Sequence, residues 1–374
     1  MSHYRAVLGY FISILLILHL LLVASPIDGL EVGTDRSLAD SNASFWGEDD
    51  LDQAGSGVSG VGDVNGDGFD DFLIGAVGDD DGGYSAGQTY LFLGKASGWA
   101  MDTDLSAADA SFWGQDSDIF TGQLLSGAGD VNGDGFDDFI IGAAEEDGSN
   151  AGHTYLILGK ASGWGMDTSL SDADASFLGE NSGDLSSYSI SGAGDVNGDG
   201  YDDFIIGAYQ NYDGGDNAGQ TYLILGKASG WAMDTDLASV DASFWGEDAG
   251  DNSGFAVSGA GDVNGDGFDD FIIGAPYDDD GGDYAGQTYL ILGKASGWKM
   301  DTDLSGADAS FLGDVNDGAG LRVSGAGDVN GDGFDDILIG APYDGDSGSS
   351  AGQTYLILGK ACLLYTSPSP RDRS

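Results

Sequence analysis

At 374 residues the chain has room for one large domain or two or three ordinary ones. Lysine and arginine number 11 against 64 aspartates and glutamates, a formal net charge of -53, which excludes a nucleic-acid partner because phosphate binding needs a basic face; bound cations or high salt must offset the self-repulsion. A hydrophobic content of 41% excludes a disordered chain, and 67 glycines without a three-residue period exclude collagen and imply many tight turns between short strands, an all-β pattern.

In chain order, Arg5 precedes an almost continuous apolar run from Ala6 to Ala24, closed by the small residue Ser25. Residues 1–25 are therefore expected to be a signal peptide, with the mature chain starting near Pro26. An uncleaved anchor is the alternative, since a run of about 19 apolar residues just spans a bilayer. Either reading makes the protein secreted or cell-surface, with membrane contact only through that anchor.

From Thr34 onward a repeat dominates. GDVNGDG occurs five times, with leading aspartates at Asp63, Asp130, Asp195, Asp262 and Asp328, spaced by 67, 65, 67 and 66 residues. The units run over about 34–101, 102–166, 167–233, 234–300 and 301–361, all within a domain at 26–361. Each unit begins with a lead-in such as Thr235 to Glu247, passes through a variable acidic loop to the DVNGDG turn, and closes on a segment such as Ala285 to Trp298. Runs such as Phe271 to Ile273 and Tyr289 to Leu292 are short, apolar and bounded by glycine, as buried strands are. With the segments ending in FAVSG and beginning at ASFWG, a unit has about four strands, the content of one β-propeller blade. A stacked β-solenoid, the structural alternative, has far shorter coils.

Within DVNGDGxDD, oxygen-bearing side chains fall at positions 1, 3, 5 and 9, and glycines at positions 4 and 6 let the chain curl so that a backbone carbonyl at position 7 joins them. The expected ligands are Asp63, Asn65, Asp67, Phe69 and Asp71; Asp130, Asn132, Asp134, Phe136 and Asp138; Asp195, Asn197, Asp199, Tyr201 and Asp203; Asp262, Asn264, Asp266, Phe268 and Asp270; and Asp328, Asn330, Asp332, Phe334 and Asp336. Six to eight oxygens in irregular geometry suit Ca²⁺ better than Mg²⁺, which demands a tight octahedron. An EF-hand loop opens identically but needs an acidic residue at position 12, where this chain has Ile74, Ile141, Ile206, Ile273 and Ile339.

The acidic turns at Asp278 to Asp283 and Glu145 to Asp147 are expected to be solvated loops, with secondary cation sites or a ligand-facing rim as the alternatives. Trp99, Trp164, Trp231 and Trp298 recur at one place in the unit and are expected to pack blades rather than stack sugars. The catalytic inventory is poor: His153 is the one histidine beyond the signal, and GDSGS at Gly345 to Ser349 lies in a variable turn, so no enzyme is expected. Cys362 to Ser374 breaks the pattern, resembles a translated sequencing adapter, and is set apart from the fold as an artefact. The repeats then contain no cysteine, and stability rests on packing and metals.

The unit resembles the FG-GAP repeat of integrin alpha-subunit N-terminal β-propellers, over about Thr34 to Ala361. The glycine-alanine-proline element stands at Gly274-Ala275-Pro276 and Gly340-Ala341-Pro342 and is varied to GAV, GAA and GAY in the first three units; the phenylalanine-glycine pair is not intact, Phe255 following Gly254. The resemblance implies a seven-bladed wheel, so the five units here are expected to be part of a larger, open ring, a closed five-bladed ring being the geometric alternative. It also implies a calcium-binding extracellular adhesion or recognition module with a protein or polysaccharide ligand. The alternatives are an accessory propeller of a larger secreted enzyme, such as a phospholipase or other hydrolase, or a structural surface repeat.

Overall fold

The computed structural model describes residues 37–114, 121–143, 150–345 and 347–361. The expected signal at 1–25, the tail at 362–374 and Glu145 to Asp147 lie outside them. Two units are distinguished, one ending at Ala43 and one beginning at Ser44. In the first, Leu38–Asp40 forms a single 3-10 turn whose Ala39 N–H donates to the Ser37 side chain. The second holds all the described strands.

These are β1 (Phe45–Trp46), β2 (Ala54–Gly62), β3 (Asp71–Ala76), β4 (Gln88–Phe92), β5 (Thr103–Asp104), β6 (Ala110–Trp113), β7 (Leu124–Gly129), β8 (Asp138–Ala143), β9 (His153–Ile157), β10 (Thr168–Ser169), β11 (Ala175–Leu178), β12 (Ser186–Gly194) and β13 (Asp203–Ala208). They continue with β14 (Gln220–Ile224), β15 (Thr235–Asp236), β16 (Ala242–Trp245), β17 (Ala256–Gly261), β18 (Asp270–Ala275), β19 (Gln287–Ile291), β20 (Thr302–Asp303), β21 (Ala309–Leu312), β22 (Arg322–Gly327), β23 (Asp336–Ala341) and β24 (Gln353–Ile357). The fold is an all-β propeller, with no α-helix among the described residues. The blades are β2-β3-β4-β6, β7-β8-β9-β11, β12-β13-β14-β16, β17-β18-β19-β21 and β22-β23-β24.

Each blade is an antiparallel meander whose second and third strands carry an uninterrupted apolar run, as in Phe271 to Ile273 and Tyr289 to Ile291. Phe271, Ile272 and Ile273 are fully buried because both faces of β18 are covered, and this is why the run reads as continuous rather than alternating. The fourth strand comes from the lead-in of the following sequence unit: Ala242–Trp245 pairs antiparallel with β14, matching Thr221 to Phe244 and Gln220 to Trp245. The next lead-in then adds β20 in parallel to β16. Successive units are thus laced together by backbone hydrogen bonds as well as by apolar contact.

Between blades the contact is aromatic. Phe177, on the fourth strand of the second blade, meets Phe204 of the third edge-on at 5.4 Å, and Phe244 repeats this on Phe271 at 5.6 Å. Trp231 and Trp298 join the same seam, lying beside Phe204 and Phe271 of their own blades and edge-on to Phe177 and Phe244 of the preceding ones at 6.4 and 6.3 Å, the blade-packing role expected of them. Trp164 packs on Phe139, and Lys160, Lys227 and Lys294 lie over the tryptophan rings. The first strands β2, β7, β12, β17 and β22 pack successively against one another. Among the described residues no pairing links the fifth blade to the first: β24 takes no fourth strand, and β1 pairs with β5 alone. Val329 is accordingly 54% exposed where its equivalents Val64, Val131, Val196 and Val263 are buried.

Candidate metal centres

Every DVNGDG turn joins the first strand of a blade to the second, so all five hang from the same end of their sheets. In the fourth, the Asp262 carboxylate accepts N–H from Gly265, Asp266 and Gly267 at 2.6 to 3.0 Å. Asp266 in turn accepts from Phe268 N–H at 3.1 Å. The second, third and fifth turns repeat these bonds around Asp130, Asp195 and Asp328. Asp63 of the first accepts from Asp67 and Gly68. The glycine at position 4 has two reasons to be glycine: Gly198 stands at φ +73°, and a Cβ there would meet Phe268 Cε1 at 2.5 Å.

Position 9 lies at the base of the turn, buried. Asp270 accepts N–H from Val263 at 3.0 Å and from Gly293 at 2.7 Å, tying the turn to the end of the third strand. Burial drives the Asp138, Asp203 and Asp270 carboxyls up to about 7 and Asp71 up to about 6; the aspartates at positions 1 and 5 push the same way, and the two backbone hydrogen bonds pull back.

The expected ligands at positions 1, 3, 5 and 9 thus belong to one turn, but among the described residues no three carboxylates or imidazoles form a ready-made metal-holding group. Cation binding there needs the mixed set foreseen in the sequence, carboxylate with amide and carbonyl oxygen. The residues fit that requirement in the fourth turn: Asn264 Oδ1, at position 3, is buried with no hydrogen-bond partner, an acceptor with nothing to accept from. The EF-hand alternative does not fit, because Ile273 at position 12 is fully buried inside β18.

The aromatic at position 7 and the aspartate at position 8 have a further role the sequence reading left out. Asp137 Oδ2 accepts the Asp63 N–H of the preceding blade at 2.8 Å, and Asp202, Asp269 and Asp335 do the same for Asp130, Asp195 and Asp262 at 2.9 to 3.0 Å. Their aromatic neighbours Phe136, Tyr201, Phe268 and Phe334 lie over Gly66, Gly133, Gly198 and Gly265 of that same preceding turn. Each of the first four turns is therefore clasped by the next blade, while a Cβ at Gly331 of the fifth would meet nothing within 4 Å among the described residues. The signal was available in the sequence, since position 8 is aspartate in all five copies.

At the opposite end of the blades, Asp278 is only 2% exposed, which corrects the expectation of a solvated turn there, while Asp279 and Asp280 are exposed as expected. A cleft of about 450 Å³ opens along the first strands of blades 2 to 5. Tyr188, Tyr209 and Phe255 cluster in it with ring centres 4.5 to 5.1 Å apart, and Arg322 stands 5.9 Å from the Phe255 ring. Among the described residues no helix is long and apolar enough to cross a membrane.

A family model described as FG-GAP repeat matches residues 122–157, 187–224, 253–291 and 319–357. Integrin alpha-6 of Gallus gallus is 35% identical over 135 residues, 35% of this chain and 11% of its own length. Integrin alpha pat-2 of Caenorhabditis briggsae is 32% identical over 233 residues, 59% of this chain and 18% of its own, and integrin alpha-V of Gallus gallus 30% over 222 residues, 57% and 19%. The chain thus spans less than a fifth of the length of these relatives.

Proposed function

We propose that this chain, four of whose blades match the FG-GAP repeat and which is similar to integrin alpha subunits over 57 to 59% of its length, is a calcium-stabilised extracellular recognition or adhesion module. The observation that carries the reading is the construction of the DVNGDG turns. Each gathers two aspartates and an asparagine over a buried aspartate whose carboxyl is pushed up in four of the five turns, and no lysine or arginine is paired with the ligand carboxylates among the described residues. A divalent cation there relieves the repulsion and locks the blade's first two strands. Because the next blade clasps the first four of these turns, occupancy there also fixes the blade-to-blade contact, and metal and fold are linked.

Extracellular calcium modules bind on the order of 10⁻⁴ to 10⁻³ M, so millimolar calcium fills such sites. The cleft lined by Tyr188, Tyr209, Phe255 and Arg322 is where a partner is recognised: aromatic faces for a protein loop or sugar ring, and a guanidinium for an acidic group. Calcium titration by calorimetry, with melting temperatures in calcium and in EDTA, tests the first half. At a free concentration 100 times Kd, each filled site adds about 2.7 kcal/mol. No heat of binding and an unchanged melting temperature overturn it. The recognition half is tested on glycan and protein arrays with the native chain and a Tyr209→Ala, Phe255→Ala variant; equal binding by both removes the cleft from consideration.

A further inference from the structure

The end of each blade away from the DVNGDG turns carries a second gathering of acidic groups. In blade 4 it consists of Glu247 and Asp251 from the lead-in, Asp278 and Asp280 from the turn between β18 and β19, and the Tyr289 hydroxyl. That hydroxyl donates to Asp278 Oδ2 at 3.1 Å, and the Glu247 carboxyl lies against it too. A phenol has one proton, so it satisfies only one of the two carboxylates. Glu48, Asp52, Asp79, Asp81 and Tyr90 form the same arrangement in blade 1; blade 3 has Glu180, Asp184, Asp213 and Tyr222, with Asn211 in place of the first turn aspartate and the Tyr222 hydroxyl donating to Glu180 instead. Among the described residues none of these carboxylates has a lysine or arginine partner.

Acidity alone would mark only a crowded surface, but a separate set of atoms points to a ligand. Gln287, 3% exposed, donates to Glu247 Oε1 at 3.4 Å, and its own Oε1 has no partner at all. Gln220 and Gln88, at the same strand position in blades 3 and 1, are fully buried with their Oε1 atoms equally unpartnered. In blade 3 a second oxygen joins them: Asp184 is fully buried, Asn181 and Asn211 donate to its Oδ2, and its Oδ1 has no partner. Buried oxygens without donors, beside carboxylates without counter-charges, require something positive that the chain does not supply.

We propose that blades 1, 3 and 4 each hold a second hard divalent cation at this end, bound by the lead-in glutamate, the carboxylates beside it (the acidic pair of the turn between the second and third strands in blades 1 and 4, Asp184 with Asp213 in blade 3), and the neighbouring glutamine oxygen. The chemistry is that of calcium: all-oxygen, carboxylate-rich and irregular. Filling the site needs side-chain rotation, as at the DVNGDG turns, because no three carboxylates already converge on a point among the described residues. The site is independent of those turns and uses none of their residues.

The experiment counts ions on the full-length chain by equilibrium dialysis against calcium, and uses terbium as a luminescent replacement excited through tyrosine. The Glu247→Gln, Asp280→Asn double variant alters two incompletely buried side chains and is expected to keep its circular dichroism and to lose one bound ion per chain. Tyr289→Phe is expected to keep that ion and lose part of the tyrosine-sensitised emission. An Asp262→Ala, Asp266→Ala variant should lose a different ion while the Tyr289-dependent emission persists, separating this site from the turn below it. An unchanged ion count in the Glu247→Gln, Asp280→Asn variant overturns the proposal, as does a change confined to its pH dependence, which means that a proton alone fills the place.

Discussion

Asp269 reaches out of its own blade to accept the Asp195 N–H at 2.9 Å, and that amide has no other acceptor in its own turn. Asp269→Ala leaves the donor unpaired at a half-buried junction, and a loss of about 1 to 3 kcal/mol is expected in urea unfolding. Calcium uptake by its own turn should survive, since Asp262, Asn264, Asp266 and Asp270 are untouched. Gly198→Ala acts on the same junction from the other side. It puts a Cβ at φ +73° and within 2.5 Å of the Phe268 ring, so both backbone strain and displacement of the ring destabilise it, by at least about 1 to 2 kcal/mol in the same assay. Adjacent aspartates of one sequence motif thus divide into a turn-anchoring residue and an inter-blade clasp, depending on which amide each one faces.

Among the elements, the fourth strand depends most on its neighbours. β16 is only four residues long, yet it closes blade 3 and drives Phe244, 3% exposed, against Phe271 of blade 4. Phe244→Ala is expected to cost about 3 to 5 kcal/mol, the range for a buried phenylalanine, and to loosen two blades at once. Hydrogen exchange resolved by residue checks this through faster exchange in both β14 and β18. Without any substitution, the amides of β24 should exchange faster than those of β14 and β19, because β24 lacks a fourth strand among the described residues and Leu356 on it is 48% exposed.

For the whole molecule the governing quantity is charge. Asp138, Asp203 and Asp270 titrate at about 7 in the fold, against about 3.9 in an unfolded chain, so the native state binds protons more tightly. Their contribution to stability is complete below pH ~4 and is lost as pH rises through about 7. In chelator the melting temperature should therefore fall between pH 5 and 8. With calcium the fall should shrink or reverse, since the cation binds the deprotonated form and releases protons as it does so. Calorimetric scans at several pH values, with and without calcium, make the comparison; a rise with pH in chelator would contradict the assignment.

The fivefold period, the all-β content and the blade-sized unit were legible in the sequence because each is a local property. Glycine spacing sets the turn, and an apolar run such as Phe271 to Ile273 marks a strand covered on both faces. The tryptophans were legible for the same reason, recurring beside the strand end they cover. The sequence could not say which blade a strand joins, because ASFW reads alike whether it closes its own blade or the preceding one, and only the pairing of β16 with β14 decides it. Nor could it separate Asp278 from Asp279, adjacent in one acidic turn. Asp278 is closed in by the Tyr289 hydroxyl it accepts from and by the lead-in whose Asp251 carbonyl takes the Tyr277 N–H, while Asp279 stays in water, and covering of that kind exists only in three dimensions.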